Sequence, residues 1–442
     1  MNKGRIQNIL IFLLVSSSLI LLSIRFELFV STDTSTVTTL DNKSVLRYSV
    51  RPNSIILRLG TGNSTKILDK GGFYYADVAR VLEEAIQQKT AIVPLHEAEY
   101  REQKKSRSIQ LNFEPAIDQR LLYGSLFLED GSIGEFKDIY EILIPQTYDT
   151  SIYIKTNDNR NYRIENPQIN TLPNFDSLVN LGYTKYYSLS DRFPELTISD
   201  VPISDEAHLP SYVTTSMFNE NNTDNAIRAV LGSKYDVANK ISEIDGSTIV
   251  TYDFGREIIK ISPEGKVFYY NKDAESGKKR TSKSDAMSIA MQFVDALSVD
   301  EASYVVEKVS EYKSDHHTGY EVSVTRRIDG IRVSLKDDKA FIKVVVINNR
   351  VYSLEGIFRT PTIPVDNSLS FGENAIVLIL ENNLDYIKQK EPFKSTSELF
   401  DKIHSVEYAY TYSKDYNYIA CYRMVIGKTT FFFKIEDAEV IL

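Results

Sequence analysis

Histidine, cysteine and paired carboxylates are the side chains from which a chain builds a metal centre or an acid–base pair. In these 442 residues they are sparse or badly spaced. The five histidines are His96, His208, His316, His317 and His404. A zinc site needs three or four converging ligands, and none of the five stands in an H-E-x-x-H arrangement. Asp315-His316-His317 is the one metal-like cluster. Adjacent side chains in extended backbone point to opposite sides, so it reads as a solvated loop. Cys421 is the only cysteine and lies in the apolar run Tyr418-Ile419-Ala420-Cys421-Tyr422, where it reads as a small buried hydrophobe.

Nucleophilic and phosphate chemistry have no local signature either. There is no G-x-S-x-G elbow and no Walker-type loop. Gly60-Thr61-Gly62 lacks the third glycine of a dinucleotide loop and reads as a turn. Carboxylate pairs such as Glu83-Glu84 and Glu129-Asp130 are common in a chain with 60 acidic residues, so none stands out as acid and base. Lys104-Lys105-Ser106-Arg107 and Lys278-Lys279-Arg280 read as solvated surface, with contact to anionic polymer or an acidic partner as the second reading. From these motifs no catalytic, cofactor-binding or metal-binding residue is expected. A hydrolase with a dispersed site is the weakest alternative.

Composition narrows the partners. The net charge of −9 argues against nucleic acid and against polybasic attachment to lipid headgroups. The 42% hydrophobic and 25% charged content is that of a globular chain. A single cysteine allows no intramolecular disulfide, so stability must come from the core. With no Trp but 28 Tyr and 21 Phe, the aromatic content suits extended sheets.

The first thirty residues carry the most specific signal. No charge interrupts the run from Ile9 to Ile24; Lys3 and Arg5 precede it, and Arg25 and Glu27 follow. A helix needs roughly 20 residues to cross a bilayer core, a length reached when Ile6 and residues 26–30 are counted and Arg25 snorkels to the interface. The positive charge before the run predicts a cytoplasmic N-terminus and an extracellular remainder, held at the cell membrane by a single pass. A cleaved signal peptide has the same outline. Against it, no small-x-small site with Ala follows, only the bulky Arg25-Phe26-Glu27-Leu28-Phe29-Val30.

The rest must position whatever contact surface the protein has. The predicted class is α+β: an N-terminal transmembrane helix, a mixed α+β domain, then repeated helix-plus-antiparallel-sheet units. Residues 1–30 are tail and anchor, and 31–44 a Thr/Ser-rich linker. Residues 45–205 form the first domain, with strands over 54–60, 108–113, 121–128, 140–144, 151–155 and 161–164. Its helix carries the stripe Val78, Val81, Leu82, Ala85 and Ile86. Units of roughly 80 residues follow over 206–282, 283–360 and 361–442. The second opens on a helix with Ala286, Ile289, Ala290, Phe293, Val294 and Leu297 on one face and Ser284 as N-cap. Hairpins are predicted at Asp329-Gly330, Asn348-Asn349 and Gly427-Lys428. In the third unit Ala375, Ile376, Ile379, Leu380 and Leu384 mark one helix.

This layout resembles the YycH family of Gram-positive bacteria, carried by Ser54-Ile55-Ile56-Leu57-Arg58-Leu59-Gly60, Ser108-Ile109-Gln110-Leu111-Asn112-Phe113 and Ser216-Met217-Phe218-Asn219-Glu220-Asn221. The resemblance implies a membrane-anchored regulator of a WalK-like sensor histidine kinase in a two-component system of cell-wall homeostasis. A YycI-like co-regulator would be the second partner, and contacts between transmembrane helices the means. The partner-binding residues would then be Ile9, Phe12, Leu13, Ser16, Ser17, Leu19 and Ile20, since small polar residues such as Ser16 and Ser17 permit close helix approach in lipid. The alternative is an extracellular module that binds peptide or cell-wall material at Tyr-rich sheet edges.

Overall fold

Alternating apolar residues between Ser54 and Ser204 build a sheet whose strands are laid down out of sequence order. The computed structural model describes residues 45, 49–60, 63–68, 73–87, 91–126, 138–146, 151–165, 175, 185–189, 201–204, 209–219, 222–276, 280–298, 303–314, 316–335, 341–365 and 375–441. The predicted anchor and its seven partner-binding residues, Ile9, Phe12, Leu13, Ser16, Ser17, Leu19 and Ile20, lie outside them, as does the linker 31–44. Among the described residues no helix is long and apolar enough to cross a membrane. Residues 42–442 form one compact unit of mixed α+β content, with antiparallel sheets and eight α-helices among the described residues.

The first sheet comprises β1 (Ser54–Leu59), β2 (Ser64–Ile67), β3 (Ile92–Leu95), β4 (Arg107–Ile117), β5 (Ile139–Pro145), β6 (Ile152–Thr156), β7 (Asn161–Ile164), β8 (Lys185–Ser188) and β9 (Pro202–Ser204). Their spatial order is β3-β7-β6-β5-β4-β1-β2-β8-β9. Helix α1 (Phe73–Gln87) covers one face. Val78, Ala79, Leu82, Ala85 and Ile86 are buried against Ile55, Leu57, Ile109, Leu111, Ile142 and Ile144. On the other face, α2 (Glu97–Lys104) sets Tyr100 against Leu143 and Tyr153. There the Tyr100 hydroxyl donates to Glu141 at 2.5 Å and Lys104 pairs with the same carboxylate at 2.9 Å.

One expected strand is a helix. Residues 121–128 were expected to be extended, but α3 (Gln119–Ser125) takes their first half. The cause is local: Asp118 precedes the segment and its side chain accepts from Arg120 N at 2.9 Å, satisfying an otherwise orphan amide.

Strand β10 (Ser211–Ser216) and helix α4 (Thr223–Leu231) lead into a central sheet of β11 (Asn239–Ser242), β12 (Thr248–Tyr252), β13 (Glu257–Ile261) and β14 (Lys266–Asn271). After α5 (Lys283–Leu297), it is continued by β15 (Ser303–Lys313), β16 (Thr318–Ile328), β17 (Ile331–Arg332), β18 (Ile342–Ile347) and β19 (Arg350–Ile357). The order is β11-β12-β13-β14-β19-β18-β16-β15, with β17 pairing β16. The pairing of β14 with β19, Tyr269 opposite Leu354, runs across the expected boundary at 282/283 and joins two meanders into one sheet. Helix α5 lies on this sheet through Ala286, Ala290, Val294 and Leu297, all fully buried. Its cap is Ser282, not Ser284: the Ser282 side chain accepts from Asp285 N at 3.1 Å, two residues earlier than expected. The Asn348-Asn349 turn has φ of 53° and 59°, the left-handed pair that a type I′ hairpin needs.

The last sheet has β20 (Arg359–Val365), β10, β21 (Ile403–Tyr412), β22 (Tyr418–Ile426) and β23 (Thr429–Lys434), in the order β20-β10-β22-β21 with β23 on β22. Its helical cover is α6 (Ala375–Asn382), α7 (Leu384–Lys390) and α8 (Thr396–Asp401). The single helix expected here is broken at Asn383. The buried Asn383 amide donates to Ile379 O and Ala438 O, at 2.8 and 2.7 Å, and competes with helix continuation.

Candidate functional site

Charged residues at inward positions of apolar strands are the unusual feature of this fold, because a buried ion costs several kcal/mol unless paired. Arg423 stands in β22, within Tyr418–Ile426, and is 1% exposed. Its cross-strand neighbour on β21 is Glu407, with Arg423 Nη1 4.0 Å from Glu407 Oε2. The same nitrogen donates to Glu114 Oε1 at 3.0 Å, which ties the last sheet to β4 of the first. Lys66 of β2 approaches Glu407 at 3.9 Å. From the central sheet, Arg332 of β17 pairs with Glu307 of β15 at 2.6 Å, both side chains 8% exposed, and its Nη1 reaches Glu114 O at 3.5 Å. Three sheets thus meet in one cluster of Lys66, Arg332, Arg423 and their carboxylates, with the buried Arg327 beside it.

The electrostatics follow from that convergence. Burial pushes the Glu407 carboxyl up, but Lys66, Arg423, Arg332 and Arg327 outweigh it and hold the group below the usual carboxylate range. Nearby, burial and then the carboxylates Glu114, Glu141 and Glu407 push the Tyr140 phenol up. Burial pushes the Tyr186 phenol up as well. A general acid at neutral pH needs a raised carboxyl pKa, and Glu407 moves the opposite way. The cluster is suited to fixing the sheets against one another and to presenting polar walls.

Those walls open on a cavity of about 350 Å³. Glu114, Glu307 and Arg327 belong to both cluster and cavity. Asp118, the residue before α3, and Lys283, the first residue of α5, both line it and pair at 2.5 Å. Asp138 and Lys308 stand exposed at its margin. This size lies at the lower end of the range for small-molecule or short-peptide sites.

The residues singled out by sequence lie elsewhere. His316 is exposed, and His317 Nε2 is 4.0 Å from Glu275 Oε2; Asp315 lies outside the described residues. Among the described residues no group of three His, Cys, Asp or Glu side chains could hold a metal ion. Gly60 turns with φ of 79° after β1, while Thr61 and Gly62 lie outside the described residues. Glu83 and Glu84 sit on α1; Glu129, Asp130, Lys278 and Lys279 lie outside the described residues. The basic run at 104–107 is dispersed: Lys104 pairs with Glu141, Lys105 with Glu102 at 2.8 Å, and Arg107 stacks 4.4 Å over the Phe175 ring. Cys421 is buried, its thiol pushed up by burial, and it donates to Ala409 O at 3.2 Å.

Sequence reasoning missed Glu114, Glu307, Arg332, Glu407 and Arg423. The signal was present: a charge at an inward position of an apolar strand, as Arg423 between Tyr422 and Met424, demands a buried partner.

No protein-family model matches the sequence, and no curated protein matches it. Among solved structures, the chain is similar to the Bacillus megaterium YpeB C-terminal domain, at 15% identity and a TM-score of 0.30, over 51% of this chain and 96% of that one. A TM-score this low carries no inference of fold or function.

Proposed function

We propose that the chain is a membrane-anchored extracytoplasmic regulator of a two-component sensor histidine kinase, acting through protein contacts that include its transmembrane helix. One observation carries the reading: the charge-free run from Ile9 to Ile24, with Lys3 and Arg5 before it and Arg25 after it. In this proposal residues 1–30 anchor the chain, and the helix-plus-sheet units behind them stand outside the cell as a non-enzymatic scaffold. The resemblance of its short segments to YycH points to a WalK-like kinase and a YycI-like co-regulator as partners. Ser16 and Ser17, with Ile9, Phe12, Leu13, Leu19 and Ile20, would form the helix face that meets them.

The junction of three sheets supports the scaffold role. A regulator that relays an external contact to its anchor needs a folded part that moves as one body, and the contacts of Arg423 with the Glu114 carboxylate and of Arg332 with the Glu114 carbonyl join elements far apart in sequence. The second reading, a module that binds peptide or wall material, is favoured by the cavity beside that junction.

Topology is the first test. Protease added to intact, wall-stripped cells should degrade residues 31–442 and leave a short membrane fragment. Full protection would refute the proposal, and so would a soluble product whose N-terminus maps near residue 31.

A further inference from the structure

β11 closes the central sheet at the end opposite β15 and pairs with β12 alone. The two ends differ. β15 is covered by β4, whereas all four residues of β11, Asn239–Ser242, are exposed. The hairpin that follows β11 fixes the backbone phase of this open edge. Glu243 N donates to Ser247 O at 2.8 Å, and Gly246 N to Glu243 O at 3.0 Å. Counting back from that bonded pair, Ile241 opposite Ile249 and Asn239 opposite Thr251 bond to β12. In an antiparallel ladder every second residue turns its N–H and C=O away from the partner strand. Lys240 and Ser242 therefore present theirs to solvent.

Natural sheets blunt such edges with proline, bulges or charge, because an open edge is a template for another strand. The last sheet does so: its edge strand β20 carries Pro361 and Pro364. β11 has no proline, and its pairing with β12 runs without a bulge. Its one charge, Lys240, is paired with Asp224 of α4 at 2.6 Å. Large apolar side chains gather at the same edge, where Val237, Ile241 and Ile244 are all exposed. One such residue is ordinary on a surface; three on an unprotected strand edge mark a contact.

The edge matches itself. A two-fold axis through Ile241 sets Lys240 against Ser242 of the second copy, and Asn239 against its Glu243. The outward groups of Lys240 and Ser242 then bond across the junction, and the two Ile241 side chains meet as a close, non-hydrogen-bonded pair. Ile244 comes beside Val237 and Ala238 of the second copy. The adjacent registers of the same phase fit worse. One faces Lys240 with Lys240, and like charges directly opposite destabilise a sheet. The other faces Ile241 with Glu243.

We infer that two copies of this chain join edge to edge at β11, antiparallel about Ile241, so that their central sheets become continuous.

Engineered thiols test this in the full chain in membranes. Cys421 is buried, so a cysteine introduced in β11 is the one that reacts. A disulfide needs Cα atoms about 4.4–6.8 Å apart, and a non-hydrogen-bonded pair brings them to about 4.5 Å. Under mild oxidation Ile241→Cys should form a species of twice the chain's mass at least tenfold faster than Asn239→Cys or Ser242→Cys. Those two positions are equally exposed but are offset from themselves along the strand. Adding Ser242→Pro to Ile241→Cys removes an outward N–H that β12 does not use. It should slow crosslinking at least tenfold while the melting temperature of the extracted chain is unchanged, which separates lost contact from lost fold. Similar rates at the three positions overturn the inference, since pairing through the anchor alone would favour none of them. Crosslinking of Ile241→Cys to a different protein in place of a second copy overturns it as well.

Discussion

Arg423 and Glu114 are 309 residues apart in sequence and 3.0 Å apart in space. One belongs to a strand of the last sheet, the other to the first, and neither sheet hydrogen-bonds the other through its backbone ladder. The pair is a direct side-chain tie between the first sheet and the last.

Breaking that tie has a calculable cost. Arg423→Met would leave Glu114 and Glu407 facing each other with less compensating charge. Removing one partner of a buried pair costs about 3–5 kcal/mol. Urea unfolding should show the loss, and the double variant Arg423→Met, Glu407→Gln should recover part of it, because the stranded charge is then removed. Additive losses in the double variant would mean that the two residues do not interact.

Acid should act through Glu407. Its folded pKa lies below the usual value, so its contribution to stability is present above about pH 4.3, the ordinary glutamate value. That contribution is lost as pH falls through the lower, folded value. Stability measured from pH 5 downward should therefore fall less steeply for Glu407→Gln than for the natural chain. Equal slopes would show that Glu407 is not held ionised by its four cationic neighbours.

Helix α5 offers a packing test. The Phe293 ring sits 4.7 Å from the Tyr269 ring, tilted by 52°. Phe293 is half-buried, so Phe293→Ala should cost about 3 kcal/mol, the lower end for such truncations. An unmoved melting temperature would contradict the packing of α5 on the central sheet.

Local pattern made the repeating parts of this fold legible and left its long-range ties hidden. The stripe Ala286, Ala290, Val294 and Leu297 has a period that only a helix satisfies, and Asn348-Asn349 announces its hairpin by residue type. Strand β15 escaped because Glu307 breaks the alternation of Ser303–Lys313 at the bulge. Helix α3 escaped because its apolar run is short and Asp118 decides its state from outside. The ion cluster escaped for a different reason: Lys66, Glu114, Arg332, Glu407 and Arg423 are brought together by sheet order, which no local window contains.

We propose that the anchor contacts a sensor kinase within the membrane. A photocrosslinking residue placed at Ser17 in otherwise native cells tests it directly. A crosslinked species containing a histidine kinase is expected, weakened when Ser16 is replaced by Leu while membrane retention is unchanged, since close approach is then lost. Recovery of the chain in membranes with no kinase crosslinked from this position, nor from Phe12 or Leu13, would contradict the account.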